Sequence, residues 1–226
     1  MKYFAVLITL MRDRKNFLDD IRQDIKLESK ILALLIASTL FLAIYGAIIG
    51  ASSGGLQIIS SAIKLPALYL ITLAICLPTL YFFDILFGSI LNFRQYVAMS
   101  LTAVGVISVL LFSFAPVSLF FLISIQDYTF FVLLNVVIMG LTGVIGVKLF
   151  YQGMYTLAGS EAEGLKLRNR LLRGWLLLYA LVGSQLGWTL RPFFGAPDQP
   201  FQLFRPEIEG NFYGQIVRMF FSFLGF

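Results

Sequence analysis

Residues 31–63 read ILALLIASTLFLAIYGAIIGASSGGLQIISSAI, thirty-three positions without an Asp, Glu, Lys or Arg. The first twenty, Ile31 to Gly50, are almost wholly apolar. Twenty helical residues reach ~30 Å, the thickness of a bilayer's hydrocarbon core. A soluble domain would not keep such a run uncharged, so the stretch predicts a transmembrane helix over about 31–51. Gly46, Gly50 and Gly54 recur at every fourth position, with Ala43, Ala47 and Ala51 one row over. Small-residue ridges of this kind let a second helix approach closely where lipid removes the hydrophobic drive for association.

Working outward, the composition places the whole chain in the same solvent. Of 226 residues, 59% are hydrophobic and 13% charged, and the mean hydropathy is +0.87. An ordinary soluble domain is about 25% charged. The chain has no His, and its single Cys, Cys76, falls inside an apolar run. That excludes a disulfide within the chain and any zinc or haem site built from His or several Cys. We therefore expect no metal and no cofactor.

Four further spans are predicted. The second covers about 65–87, with Pro66 in its first turn, where a missing N–H is harmless, and Pro78 as a mid-span kink. Residues 95–126 carry no charge, too long for one straight span and too short for two. Pro116 disfavours helical geometry at Ala115, which puts the third span at 96–115. Residues 117–125 then form an interfacial or re-entrant piece, or a kinked continuation. The fourth span is about 129–151, with Gly140, Gly143 and Gly146 along it, and Gln152 to Arg173 reads as a polar loop. The fifth is 174–190, with Gly183, Ser184, Gln185 and Gly187.

Charged and Pro-rich segments flank this 31–190 transmembrane domain. Residues 1–30 hold seven of the seventeen Lys and Arg. Phe4, Leu7, Met11, Phe17, Leu18, Ile21 and Ile25 recur there at helical spacing, with charges of both signs from Arg12 onward. This predicts an amphipathic helix in the plane of the membrane, its basic residues toward anionic headgroups, with docking on a partner protein as the alternative. The short apolar run Tyr3 to Met11 lacks a small-residue cleavage site and is not read as a signal peptide. Residues 191–226 form a Pro- and Phe-rich loop followed by an aromatic interfacial helix over 212–226. Lys and Arg are concentrated in the N-terminal segment and in the second-to-third and fourth-to-fifth connections. Positive-inside bias therefore sets the N-terminus in the cytoplasm and the tail on the opposite side.

Intramembrane ionisable residues mark function by default. Two qualify, Asp84 and Lys148, each about one turn from the cytoplasmic end of its span, and equal depth predicts that they pair. Asn135 and Gln185, with Ser184, are neutral polar residues expected to bond across helices or to line a solute path. The eight glycines Gly46, Gly50, Gly54, Gly140, Gly143, Gly146, Gly183 and Gly187 are the expected packing positions. Phosphate-binding glycine motifs, nucleophile elbows and paired carboxylates are missing from the sequence, which argues against an enzyme. The basic residues are explained by a bilayer, with no need of nucleic acid.

This pattern resembles the bacterial branch of the Yip1-type membrane proteins. The resemblance lies in Arg12, Phe17 and Ile21 as Arg-x-x-x-x-Phe-x-x-x-Ile, the small-residue first span, the Pro66–Pro78 second span and five spans with the N-terminus inside. It covers most of the chain as architecture. The Asp-Leu-Tyr-Gly-Pro signature of the eukaryotic members is absent before the first span, so their partnership with small GTPases is not implied here. Lys64-Leu-Pro-Ala-Leu-Tyr and Gly187-Trp-Thr-Leu-Arg-Pro-Phe-Phe-Gly are similar to segments of membrane proteins of photosynthetic bacteria, which implies a plasma or thylakoid membrane. The expectation is a non-catalytic accessory or scaffolding protein that binds lipid or a membrane-protein complex, with membrane lipids and a membrane-protein partner or a second copy of itself as its partners. The alternative is a small transporter or channel component with a polar path between spans two, four and five.

Overall fold

The computed structural model describes residues 3–86, 88–125, 127–158, 165–195 and 200–204. Among the described residues seven α-helices run in order: α1 (Tyr3–Arg12), α2 (Arg14–Arg22), α3 (Leu27–Gly50), α4 (Gly55–Leu86), α5 (Phe93–Ser124), α6 (Tyr128–Ala158) and α7 (Leu165–Leu190). Among the described residues, α3 with its extension to Ser53, α4, α5 and α6 are each long and apolar enough to cross a membrane. In such a solvent the backbone must satisfy its own hydrogen bonds, so apolar runs become continuous helices.

That rule explains where the helices outrun their expected bounds. The segment before Lys64 is not a separate piece. It is the start of α4, which contains both Pro66 and Pro78 in its interior. Pro66 is thus no first-turn residue. Of the three forms expected for residues 117–125, the structure has the continuation: α5 runs through Pro116 as far as Ser124. In lipid a proline removes one hydrogen bond, whereas ending the helix would strand several. The expected polar loop over 152–173 is also largely helical, divided between the end of α6 and the start of α7. The break that does occur, between α3 and α4, is a single 3-10 turn, Ala51–Ser53, closed by Gly54 at φ +106°. A side chain at that φ is strained, which is what glycine supplies here.

Helix α3 packs lengthwise against both α4 and α5; α6 lies on α5, and α7 lies on α4. The core is therefore centred on α3 and α5, where Leu34, Leu42, Tyr45, Tyr96, Met99 and Leu111 are fully buried. The α3–α4 hairpin is its tightest seam. Gly46 and Gly50 face the backbone of Ser61 and Gln57 so closely that an added Cβ would lie 2.4 and 2.5 Å from their carbonyl oxygens.

The N-terminal segment departs from the expected in-plane helix. Asp13 divides it, accepting at Oδ1 from the Asn16 N–H (3.3 Å) and so capping α2. Val6, Leu7 and Leu10 of α1 and Phe17, Leu18 and Ile21 of α2 are buried against the chain's own helices. Leu7 meets Leu34 beside Gly105, and the Phe4 ring lies 5.7 Å from Phe41, which stacks on Phe112 at 4.5 Å. The apolar face is covered by this protein itself; Phe4, Ile8 and Met11 form a second, exposed stripe. Helical periodicity identifies an apolar face without saying what covers it. The interfacial helix expected over 212–226 lies outside the described residues.

Polar contacts fasten α2 and the α2–α3 turn in place. Lys30, buried, pairs with Asp20 at 2.6 Å and lies 5.2 Å from the Phe17 ring. Arg94 reaches Glu28 at 2.9 Å. Gln95 clasps both sides of the joint. Its Nε2 donates to the Ile21 and Arg22 carbonyls (3.1 and 2.8 Å), while its Oε1 accepts from the Asn92 N–H at the start of α5 (2.7 Å). Gln95→Leu strands these groups and is expected to cost about 1–3 kcal/mol. Limited proteolysis should then cut first at the α2–α3 turn; an unchanged digestion pattern would contradict this role.

Candidate functional site

Among the described residues, three separate clusters of polar side chains tie elements of the helical bundle together. The first joins three helices. Asn135 of α6 accepts at Oδ1 from the Tyr45 hydroxyl of α3 (2.6 Å) and from the Ser118 hydroxyl of α5 (3.0 Å). Its Nδ2 donates to the Phe131 carbonyl at 2.8 Å. All three side chains are fully buried. Each polar atom of the Asn135 amide is therefore used within the protein, and the cluster ties α3, α5 and α6 at one level.

The second cluster closes the end of the bundle where α3 turns into α4. Gln57, Ser61 and Lys64 lie at i, i+4 and i+7 on α4 and are buried. Gln57 Nε2 donates to the Pro192 and Phe193 carbonyls (3.0 and 3.1 Å), and the Ser61 hydroxyl donates to Phe193 as well. Lys64 Nζ donates to the Pro192 carbonyl (3.2 Å) and to that of Leu203, and lies 4.9 Å from the Phe204 ring. Ser52 donates to the Phe194 carbonyl (2.9 Å) and Tyr128 to that of Gly195. An irregular chain with Pro at 192 and 200 has carbonyls to satisfy, and this row of donors satisfies them.

The third lies near the opposite end. Buried Asp84 accepts a hydrogen bond from the Tyr96 hydroxyl of α5, which in turn is 2.7 Å from Ser89 Oγ. A cleft of about 280 Å³ between α4 and α7 is lined by Asp84, Arg170 and Trp175 among apolar neighbours. The Trp175 indole donates to the Cys76 carbonyl at 2.8 Å, joining α7 to α4.

The expected residues are thus brought together only in part. Asp84 and Lys148 do not form the expected pair: Lys148 is exposed on α6, whereas Asp84 is buried and accepts from Tyr96 of α5. Gln185 is half-buried on α7 and is not among the hydrogen-bond partners of Asn135. Of the glycines, Gly46 and Gly50 make the α3–α4 seam, and an added Cβ at Gly146 would strike the Ile107 side chain at 2.4 Å. Gly183 and Gly187 have ordinary contacts with Thr72 and Leu68. Gly140 and Gly143 face open space, and Gly54 is the turn residue rather than a packing position.

Several residues that carry these contacts were not among those expected. Tyr45 and Ser118 are single hydroxyls in apolar runs, with no sequence signal to mark them. The spacing of Gln57, Ser61 and Lys64 is legible once their segment is taken as helical. Among the described residues no three His, Cys, Asp or Glu converge to hold a metal ion. Set against family models, curated proteins and solved structures, the chain matches none of them.

Proposed function

We propose that this chain is an integral-membrane accessory or scaffolding protein that binds lipid and a membrane-protein partner and catalyses no reaction. Five crossings, an N-terminus in the cytoplasm and a tail beyond residue 190 on the other side belong to this reading, as does a bacterial plasma or thylakoid membrane. The fifth crossing is the uncharged part of α7, residues 174–190, about 25 Å of helix. The basic residues before it, Lys166 to Arg173, then lie on the cytoplasmic side. The likeness to the bacterial Yip1-type proteins rests on the same architecture and stands as part of the proposal.

The observation that carries this reading is the Tyr45–Ser118–Asn135 cluster. A solute path would need polar groups facing water, whereas here each amide atom of Asn135 is bonded to a neighbouring side chain or backbone group. The Gln57–Ser61–Lys64 row is likewise engaged with carbonyls of residues 192–203. Polar residues that hold helices together make a rigid bundle, and a rigid bundle with exposed apolar helix faces suits binding. Gentle extraction from native membranes tests it. We expect the chain to migrate with a stoichiometric partner or a second copy, well above its own 25.4 kDa. Migration as a lone protomer with its lipid shell would overturn the scaffold.

A further inference from the structure

We propose that the outward face of α6 and the start of α2 form a binding site for one anionic phospholipid of the cytoplasmic leaflet. The site deepens the lipid-binding part of the function above and rests on its membrane residence. Lys148 supplies the first argument. It is exposed on α6 with Val144, Ile145 and Val147, also exposed, around it. Among the described residues it has no ion-pair partner. An ammonium at the edge of an apolar, lipid-facing surface is stabilised by reaching an anion at headgroup level.

Such a level is built one turn further on. Gln152 follows Lys148 at i+4, about 6 Å along the helix and on the same face. There a groove of about 640 Å³ opens between α6 and α2, within the roughly 300–1,000 Å³ of ligand clefts. Arg14 and Lys15 line it from α2, and Gln152, Tyr155 and Tyr151 from α6. Among the described residues no acidic side chain lines it, and neither Arg14 nor Lys15 is ion-paired. The remaining hydrogen-bonding groups also suit an anion. The Gln152 Oε1 already accepts from Arg14 Nη2 (3.2 Å), which leaves its NH2 to donate outward. Arg173, over the Tyr151 ring at 5.8 Å, adds a further cation beside the groove.

The rest of the face matches the rest of a lipid. Val137, Leu141 and Val144 precede Lys148 at helical spacing and are exposed, and the neighbouring Gly140 has nothing within 4 Å of a built Cβ. One face of α6 therefore runs from a shallow apolar strip to a lone ammonium to a cationic, donor-rich groove, the order of acyl chain, phosphate and headgroup. This geometry commits the site to a membrane lipid over a soluble phosphate, which would leave the strip unused.

The test uses the full chain in neutral detergent with phosphatidylcholine, titrated with phosphatidylglycerol, with bound lipid per protomer read by native mass spectrometry. The wild type should hold one phosphatidylglycerol in preference to phosphatidylcholine, with no displacement by inorganic phosphate. The exposed pair Lys148→Gln and Lys15→Gln should weaken it about twenty-five-fold, at roughly fivefold per cation. If the double variant does not elute as a folded protein, Lys148→Gln alone should show the fivefold loss. Equal affinity in the variants, no preference over phosphatidylcholine, or displacement by phosphate would each overturn the site. Carbonate washing of the native membranes separates the two claims: release of the wild type removes membrane residence and the site together. Retention with undiminished lipid binding by the variants removes the site alone.

Discussion

Gly50→Ala and Gly46→Ala are each expected to destabilise the protein by about 1–3 kcal/mol, the cost of overpacking a close seam. The built Cβ atoms would lie 2.5 Å from the Gln57 carbonyl oxygen and 2.4 Å from that of Ser61. Both obstacles are backbone, so neither can rotate away, and α3 and α4 must separate along the seam. At roughly 2–4 °C per kcal/mol for a chain of this size, the pair should lower the thermal midpoint in detergent by several degrees. Gly140→Ala and Gly143→Ala are the internal control. They face open space, and alanine is the better helix former by about 1 kcal/mol, so no loss is expected. Equal tolerance at all four positions would show that the α3–α4 seam is not the close contact described.

The second large effect is expected at Asn135. Asn135→Leu leaves the buried hydroxyls of Tyr45 and Ser118 without their shared acceptor, which costs about 1–3 kcal/mol. Tyr45→Phe removes the short bond to Asn135 and the long 3.5 Å contact with Ser118 but leaves the Ser118–Asn135 bond intact, so a smaller loss is expected, about 0.6–1.7 kcal/mol as for interhelical bonds in membranes. The two changes act on one network, so the double variant should lose less than the sum. Thermal midpoints of the four proteins complete the cycle; strict additivity would mean that the bond does not couple α3 to α6.

The positions of these two features show how far the sequence reaches. Uncharged runs locate the apolar helices because charge in the hydrocarbon core is costly wherever it falls on the helix surface. Proline at 66 and 116 misleads, because rules for helix ends in water assume that a freed carbonyl can bond to solvent. Starting a helix at Pro66 also hid the face of Gln57, Ser61 and Lys64. Depth along a span is legible from residue number, but direction around the bundle is not. Asp84 and Lys148 match in expected depth, yet Asp84 turns inward to Tyr96 while Lys148 lies on the exposed face of α6. The glycines divide for the same reason. Gly46 and Gly140 look alike in sequence, and only the neighbour opposite decides that one is a seam and the other a free surface.

The central claim is that the buried polar residues hold the helices together and do not line a path for solute. Thiol accessibility in sealed native membranes tests it most directly, with Ser118→Cys and Asn135→Cys each placed in a Cys76→Ala background. Ser118→Cys is nearly isosteric and keeps the bundle's packing while reporting from the same cluster. The scaffold account predicts that neither thiol reacts with a membrane-impermeant maleimide from either side, and that both react fully after denaturation. Labelling of Ser118→Cys by the impermeant reagent in intact membranes would place water at the cluster and contradict it.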